Sequence, residues 1–211
     1  MEKIGLFPLG IVMFPEAVIP LHIYEERYKL LIKNCWEQKK PFGISLIDSS
    51  KIYNIGCVCE VIDIFKISED GKMDIIVKGL WRYQLNSFTD GEQPYYIGNV
   101  TQLNDIEEKT DEALLIECLT KFNEIVDNLH DVRIEAIDIM KLKSNIPSYI
   151  IASKAGLSVN QKQEILEKRN ENERLNLILI HLKRVLPMVK EAEIISKIIR
   201  NDGYYFPGMK D

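Results

Sequence analysis

The sequence predicts an α+β protein: a mostly antiparallel β-sheet or pseudo-barrel carrying one helix, followed by a C-terminal α-helical bundle. Three observations predict it. Residues 42–103 alternate apolar and polar positions; the segment before them is broken by Pro8, Pro15 and Pro20; and from Asn104-Asp105 onward the apolar residues recur at helical spacing.

The opening segment, residues 7–28, reads FPLGIVMFPEAVIPLHIYEERY. Each proline fixes φ and biases the residue before it toward extended backbone, so the segment reads as strand, turn, strand rather than helix. Residues 25–39 carry Tyr28, Leu31, Ile32 and Cys35 at helical spacing with Trp36 beside them, and Pro41 stops the pattern. Strands follow at 42–47, at 56–67 with Cys57, Cys59, Val61, Phe65 and Ile67 in one phase, and at 73–85 with Met73, Ile75, Val77, Trp81, Tyr83 and Leu85 in phase. Between the last two, Ser68-Glu69-Asp70-Gly71 supplies hairpin chemistry, because Asp-Gly accepts positive φ. A last strand is expected at 95–103, after a Gly-Pro turn.

The helical half is expected at 108–129, where Leu115, Cys118, Leu119, Phe122, Val126 and Leu129 form one stripe after a turn at Thr110. It continues at 134–142, at 148–155 with Ser148 as cap and Gly156 beyond the end, and at 161–168 capped by Ser158 or Asn160. Leu175, Ile178, Leu179, Leu182, Val185 and Leu186 stripe 173–186, and a helix at 189–200 follows a kink expected at Pro187. The expected division is a β-rich domain at 1–104, a helical bundle at 105–200 and a tail at 201–211.

The formal charge of −5 and the pI near 5.4 argue against nucleic acid as a partner, which asks for a basic face. The start MEKIGLFPLG lacks a signal peptide's apolar core, and no apolar run spans a bilayer, so a cytoplasmic protein without a membrane partner is expected. Cys35, Cys57, Cys59 and Cys118 have no metal-site spacing, and Cys57 and Cys59 read as small same-face strand residues. His22, His130 and His181 stand alone in sequence, and G-x-S-x-G, H-E-x-x-H and G-x-G-x-x-G are missing. No enzyme activity, metal or cofactor is expected.

Phe7-Pro8-Leu9, Phe14-Pro15, Leu21-His22-Ile23-Tyr24-Glu25 and Arg27-Tyr28, in that order, resemble the opening of the Lon N-terminal domain family. Ser148-Tyr149-Ile150-Ile151-Ala152, Leu157-Ser158, the run Lys162-Gln163-Glu164-Ile165-Leu166-Glu167 and Glu173-Arg174-Leu175 are similar to its later part, and residues 189–200 to the helix that in Lon leads toward the ATPase. The resemblance implies a PUA-like pseudo-barrel with a helical bundle and a stand-alone, non-catalytic module. Such a module would bind unfolded or peptide segments through apolar patches on the β-domain, by strand addition at a sheet edge, or in a cleft beside the bundle. The alternative is an adaptor for one folded protein partner, as in cereblon-type proteins. A hydrolase is disfavoured, because the chain has no G-x-x-x-x-G-K-[ST] phosphate loop and its 211 residues leave no room for a Ser–Lys protease domain.

Candidate contact residues are Tyr24, Arg27, Trp36, Trp81 and the tail aromatics Tyr204, Tyr205 and Phe206. Glu25, Arg27 and Tyr28 also have a structural reading, with Glu25 in the first helical turn, Arg27 paired nearby and Tyr28 packed. Trp81 is core by phase, unless a bulge at Gly79 turns it outward. The tail aromatics either dock back on the chain or make a weak self-association contact.

Overall fold

The computed structural model describes residues 1–91, 93–129, 134–142 and 144–202. Among these the order is β1 (Glu2–Leu9), β2 (Val18–Ile23), α1 (Glu26–Gln38), β3 (Phe42–Asp48), β4 (Lys51–Ile67), β5 (Met73–Thr89), β6 (Ile97–Gln102), α2 (Glu112–Asp127), a 3-10 turn (Ile139–Lys141), α3 (Pro147–Lys154), α4 (Val159–Glu167) and α5 (Glu171–Asp202). The chain folds as two compact units. One is Met1–Glu108 with Gly156–Asn170; the other is Lys109–Ala155 with the described residues from Glu171 onward. The segment 156–170, expected in the bundle, therefore belongs with the strands.

In the first unit, six strands lie in the order β2-β5-β4-β3-β1-β6, and β5 pairs with β6 as well, so five of them close into a ring with β2 outside it. All pairs are antiparallel except β1 with β3, whose connection through β2 and α1 supplies the crossover that a parallel pair needs. The length of β5 makes closure possible. Met73–Lys78 pairs with β2 along the same edge that Tyr83–Thr89 presents to β6.

Helix α1 buries Tyr28, Leu31, Ile32 and Cys35 against Met73, Ile75 and Val77 of β5 in the main core, where the Phe7 and Tyr28 rings lie 4.1 Å apart. Lys39, in the left-handed region at φ 54°, ends this helix. A second cluster gathers Ile4, Leu6, Val58, Tyr83, Leu85 and Val100, and the Tyr83 hydroxyl is held 2.6 Å from Ser45 Oγ. The segment 156–170 is tied to the strands by polar bonds. Arg82, buried on β5, donates to the carbonyls of Leu166 and Lys168 at 2.6 Å each and pairs with Asp105, while the Gln163 amide donates to the Ile55 carbonyl.

In the second unit α2 and α5 run parallel. Asn172 near the start of α5 accepts from the Asp111 N–H beside α2, and further along Lys183 pairs with Glu117 at 2.7 Å and Lys190 with Glu124. Asp111 caps α2, accepting from the N–H groups of Ala113 and Leu114. Ser148 is not a cap. Pro147 occupies the first turn of α3, and the Ser148 N–H and hydroxyl both donate to Glu171, whose carboxylate also holds buried Arg174 at 2.6 Å.

Residues 134–138 are not helical, and only the 3-10 turn falls in the segment expected as a helix. The Asn123 side-chain amide takes both backbone groups of Ile137, which a helix would need for its own ladder. Gly156 sits at φ 68° beyond α3, and Ser158 caps α4 in a capping box with Gln161. Helix α5 runs through Pro187, where the Lys183 carbonyl it cannot satisfy lies on the exposed side.

Candidate functional site

At one end of the first unit, β2, the start of β5 and the end of β4 form an antiparallel layer with one face on the core and one in solvent. Its inner face is Ile19, Leu21 and Ile23 of β2, Met73, Ile75 and Val77 of β5, and Val61 and Ile64 of β4. On the outer face Val18 stands opposite Lys78, Pro20 opposite Ile76 and His22 opposite Asp74, and across β5 come Glu60, Asp63 and Lys66.

Two bulges interrupt β4 here, because Val61 and Asp63 pair with consecutive residues of β5, as do Ile64 and Lys66. The extra residues are Ile62 and Phe65, which are 43% and 58% exposed, and Val18 is 54% exposed. Val18, Pro20, Ile76, Ile62 and Phe65 thus give this face an apolar centre within a charged surround. His22 Nδ1 lies 2.6 Å from Asp74 Oδ1, and the Tyr24 ring stacks on the imidazole at 6.1 Å.

This corrects the expected phase of β4, in which Phe65 and Ile67 continue inward from Cys57 and Cys59. Each bulge adds a residue, so the inward positions fall at Val61 and Ile64, and both Phe65 and Ile67 are exposed. Ile62 and Ile64, apolar where strict alternation faces solvent, carried the signal.

Both edges of the layer are poor templates for another strand. Strand β2 is the outermost strand and holds Pro20, which has no N–H to offer. Beyond Cys59, β4 has no pairing with β3, but both bulges and Lys66 lie in that stretch. The face, rather than an edge, carries the exposed apolar side chains Val18, Ile62 and Phe65.

Of the residues singled out from sequence, Tyr24 reaches this face. Glu25 is the N-cap residue of α1, its carboxylate holding Arg27 at 2.8 Å while the Arg27 guanidinium lies 4.5 Å over the Tyr28 ring. Trp36 lines a small cleft of about 140 Å³ with Lys39, Pro41, Val61 and Leu80. Trp81 follows a bulge at Leu80, since Val58 pairs with Trp81 and Cys59 with Gly79, and it is half-buried against the second cluster. His130, Tyr204, Tyr205 and Phe206 lie outside the described residues.

Burial pushes the Cys59 thiol well above its ordinary value and the Cys118 thiol up to about 12, so neither is a ready thiolate at neutral pH. His181 Nε2 is 2.9 Å from the Ala155 carbonyl. Among the described residues no cluster of His, Cys, Asp and Glu is arranged to hold a metal ion, and no helix is long and apolar enough to cross a membrane.

The Lon protease of Dictyoglomus thermophilum is 26% identical over 95% of this chain, and that of Syntrophomonas wolfei subsp. wolfei 27% identical over 94%. The chain spans only 27% and 26% of those proteins. Among solved structures, the Lon N-terminal domain protein of Xanthomonas campestris superposes with a TM-score of 0.65 at 19% identity, covering 85% of this chain and 98% of that one. The N-terminal domain of Mycobacterium avium complex Lon protease gives 0.66 at 15% identity, covering 86% and 98%. These two likenesses show the fold. The sequence profile of the ATP-dependent protease La (LON) substrate-binding domain matches residues 3–184, and the chain belongs to that family.

Proposed function

We propose that this chain binds unfolded, apolar-rich polypeptide segments on the outer face of β2, β5 and β4. The observation that carries the reading is the apolar row of exposed Val18, Pro20, Ile62 and Phe65 with half-buried Ile76 among them, on one sheet face whose two edges are poor templates for strand addition. Recognition is then by side chains rather than by a main-chain ladder. Burying an exposed aromatic or branched side chain contributes about 1.5–3 kcal/mol, so two or three such contacts hold a segment transiently. Membership of a substrate-binding family supports the same reading.

The test is fluorescence anisotropy with labelled, reduced and carboxymethylated α-lactalbumin, alongside the native protein. The unfolded form should bind and the native form should not. Phe65→Ser with Ile62→Ser should weaken binding about tenfold with the melting temperature unchanged, since both side chains are exposed. Unchanged affinity in that variant overturns the face. Equal binding of native and unfolded forms would instead favour an adaptor for folded partners.

A further inference from the structure

A second surface of the first unit has a different chemistry. Between the start of β1, one flank of α1 and the approach to β6 lies a cleft of about 490 Å³, within the size range of small-ligand sites. Its apolar lining comes from Leu31, Pro41 and Ile97. Its polar lining includes the cationic Lys3 and Lys40, the Tyr95 hydroxyl, and the side-chain amides of Asn34, Gln38 and Gln93, which both donate and accept.

Tyr95 is 8% exposed, and its oxygen accepts from the Asn34 amide at 3.2 Å, which leaves the phenolic proton to donate. Among the described residues neither Lys3 nor Lys40 has an ion-pair partner. Two groups of Cys35 on the lining are accounted for. The Cys35 carbonyl at the end of α1 receives the N–H groups of Lys39 and Lys40, and burial raises the Cys35 thiol to about 11, so it adds no charge. Glu2 is the one carboxylate on the lining.

A wall with two cationic side chains and a hydroxyl over an apolar floor is matched by an acceptor carried on an apolar body. We propose that this cleft binds a carboxylate borne on a small apolar group, with Lys3, Lys40 and the Tyr95 hydroxyl around the carboxylate and the body against Leu31, Pro41 and Ile97. A free organic acid and the C-terminal residue of a polypeptide both present that chemistry. The site is distinct from the sheet face and does not depend on it.

The test uses the full chain and amide chemical shifts in a titration with 3-phenylpropionate, 3-phenylpropionamide, and the peptide Ala-Ala-Ala-Phe with a free or an amidated C-terminus. At least one carboxylate probe should shift the amides of Asn34, Lys40 and Ile97 saturably, and its amide should bind about tenfold more weakly. Saturation by the free acid alone assigns the site to small acids, and saturation by the peptide alone assigns it to chain termini. Lys3→Ala with Lys40→Ala, both exposed, should lose about three- to tenfold in affinity, and Glu2→Gln should gain severalfold. Equal binding of acid and amide, an unaffected lysine variant, shifts confined to other surfaces, or no saturable shift with either carboxylate probe overturns the proposal.

Discussion

Gly79 joins the core, the bulge and the binding face at a single backbone position. It pairs with Cys59 directly before the bulge at Leu80, and its N–H and carbonyl bond to Ala17 and Glu16, fixing the entry of β2 beside β5. A Cβ there would overlap the Phe14 carbonyl oxygen, a backbone atom that cannot swing aside, and would press on the buried Cys57 sulfur at 3.2 Å. Gly79→Ala should therefore cost about 1–3 kcal/mol by urea unfolding, as overpacking of a close contact does. It should also weaken client binding, because β2 carries Val18 and Pro20 onto the face. An unaltered midpoint would show that the Phe14 segment yields freely.

Arg82 acts at the scale of elements, because one side chain binds β5 to the end of α4 and to Asp105. A neutral residue of similar length would strip the Leu166 and Lys168 carbonyls and the Asp105 carboxylate of a shared donor. Asp105 is partly exposed, so its share is screened; Arg82→Met should still destabilise by about 3 kcal/mol in chemical unfolding. Arg82→Lys should recover only part of the loss, since one ammonium cannot reproduce the fork that meets three acceptors. Full recovery by lysine would reduce Arg82 to a point charge. The same bonds explain what sequence could and could not show. The period of β5, the stripe of α2 and a cap at Ser158 or Asn160 are local patterns, and each was legible, the structure choosing Ser158. The assignment of 156–170 to the strands rests on partners more than 80 residues away, such as Arg82 with Leu166, and no local pattern encodes them. The non-helical 134–138 segment is likewise set by Asn123, and the face was hidden because its two bulges shift the phase that alternation assumes. Tyr24 was legible only through the family motif around it.

At the scale of the whole molecule, charge adds a long-range preference to the short-range apolar contact. The chain carries −5, and the apolar centre of the face is surrounded by Glu60, Asp63 and Asp74 as well as Lys66 and Lys78. Fixed charges of both signs at the rim give little net attraction at contact. On the proposed reading, the overall negative field would raise the local concentration of cationic unfolded segments before contact is made, an effect that salt screens over about 10 Å at 0.1 M. Raising ionic strength from about 0.02 M to about 0.5 M should therefore weaken binding of a Lys-rich unfolded client severalfold, mainly through a slower association rate. An uncharged apolar peptide should be unaffected or bind slightly better, because burial of apolar surface is not screened. Stopped-flow anisotropy with the two clients measures both rates. An equal salt response for the two would mean that contact, not the field of the whole chain, sets which clients are captured.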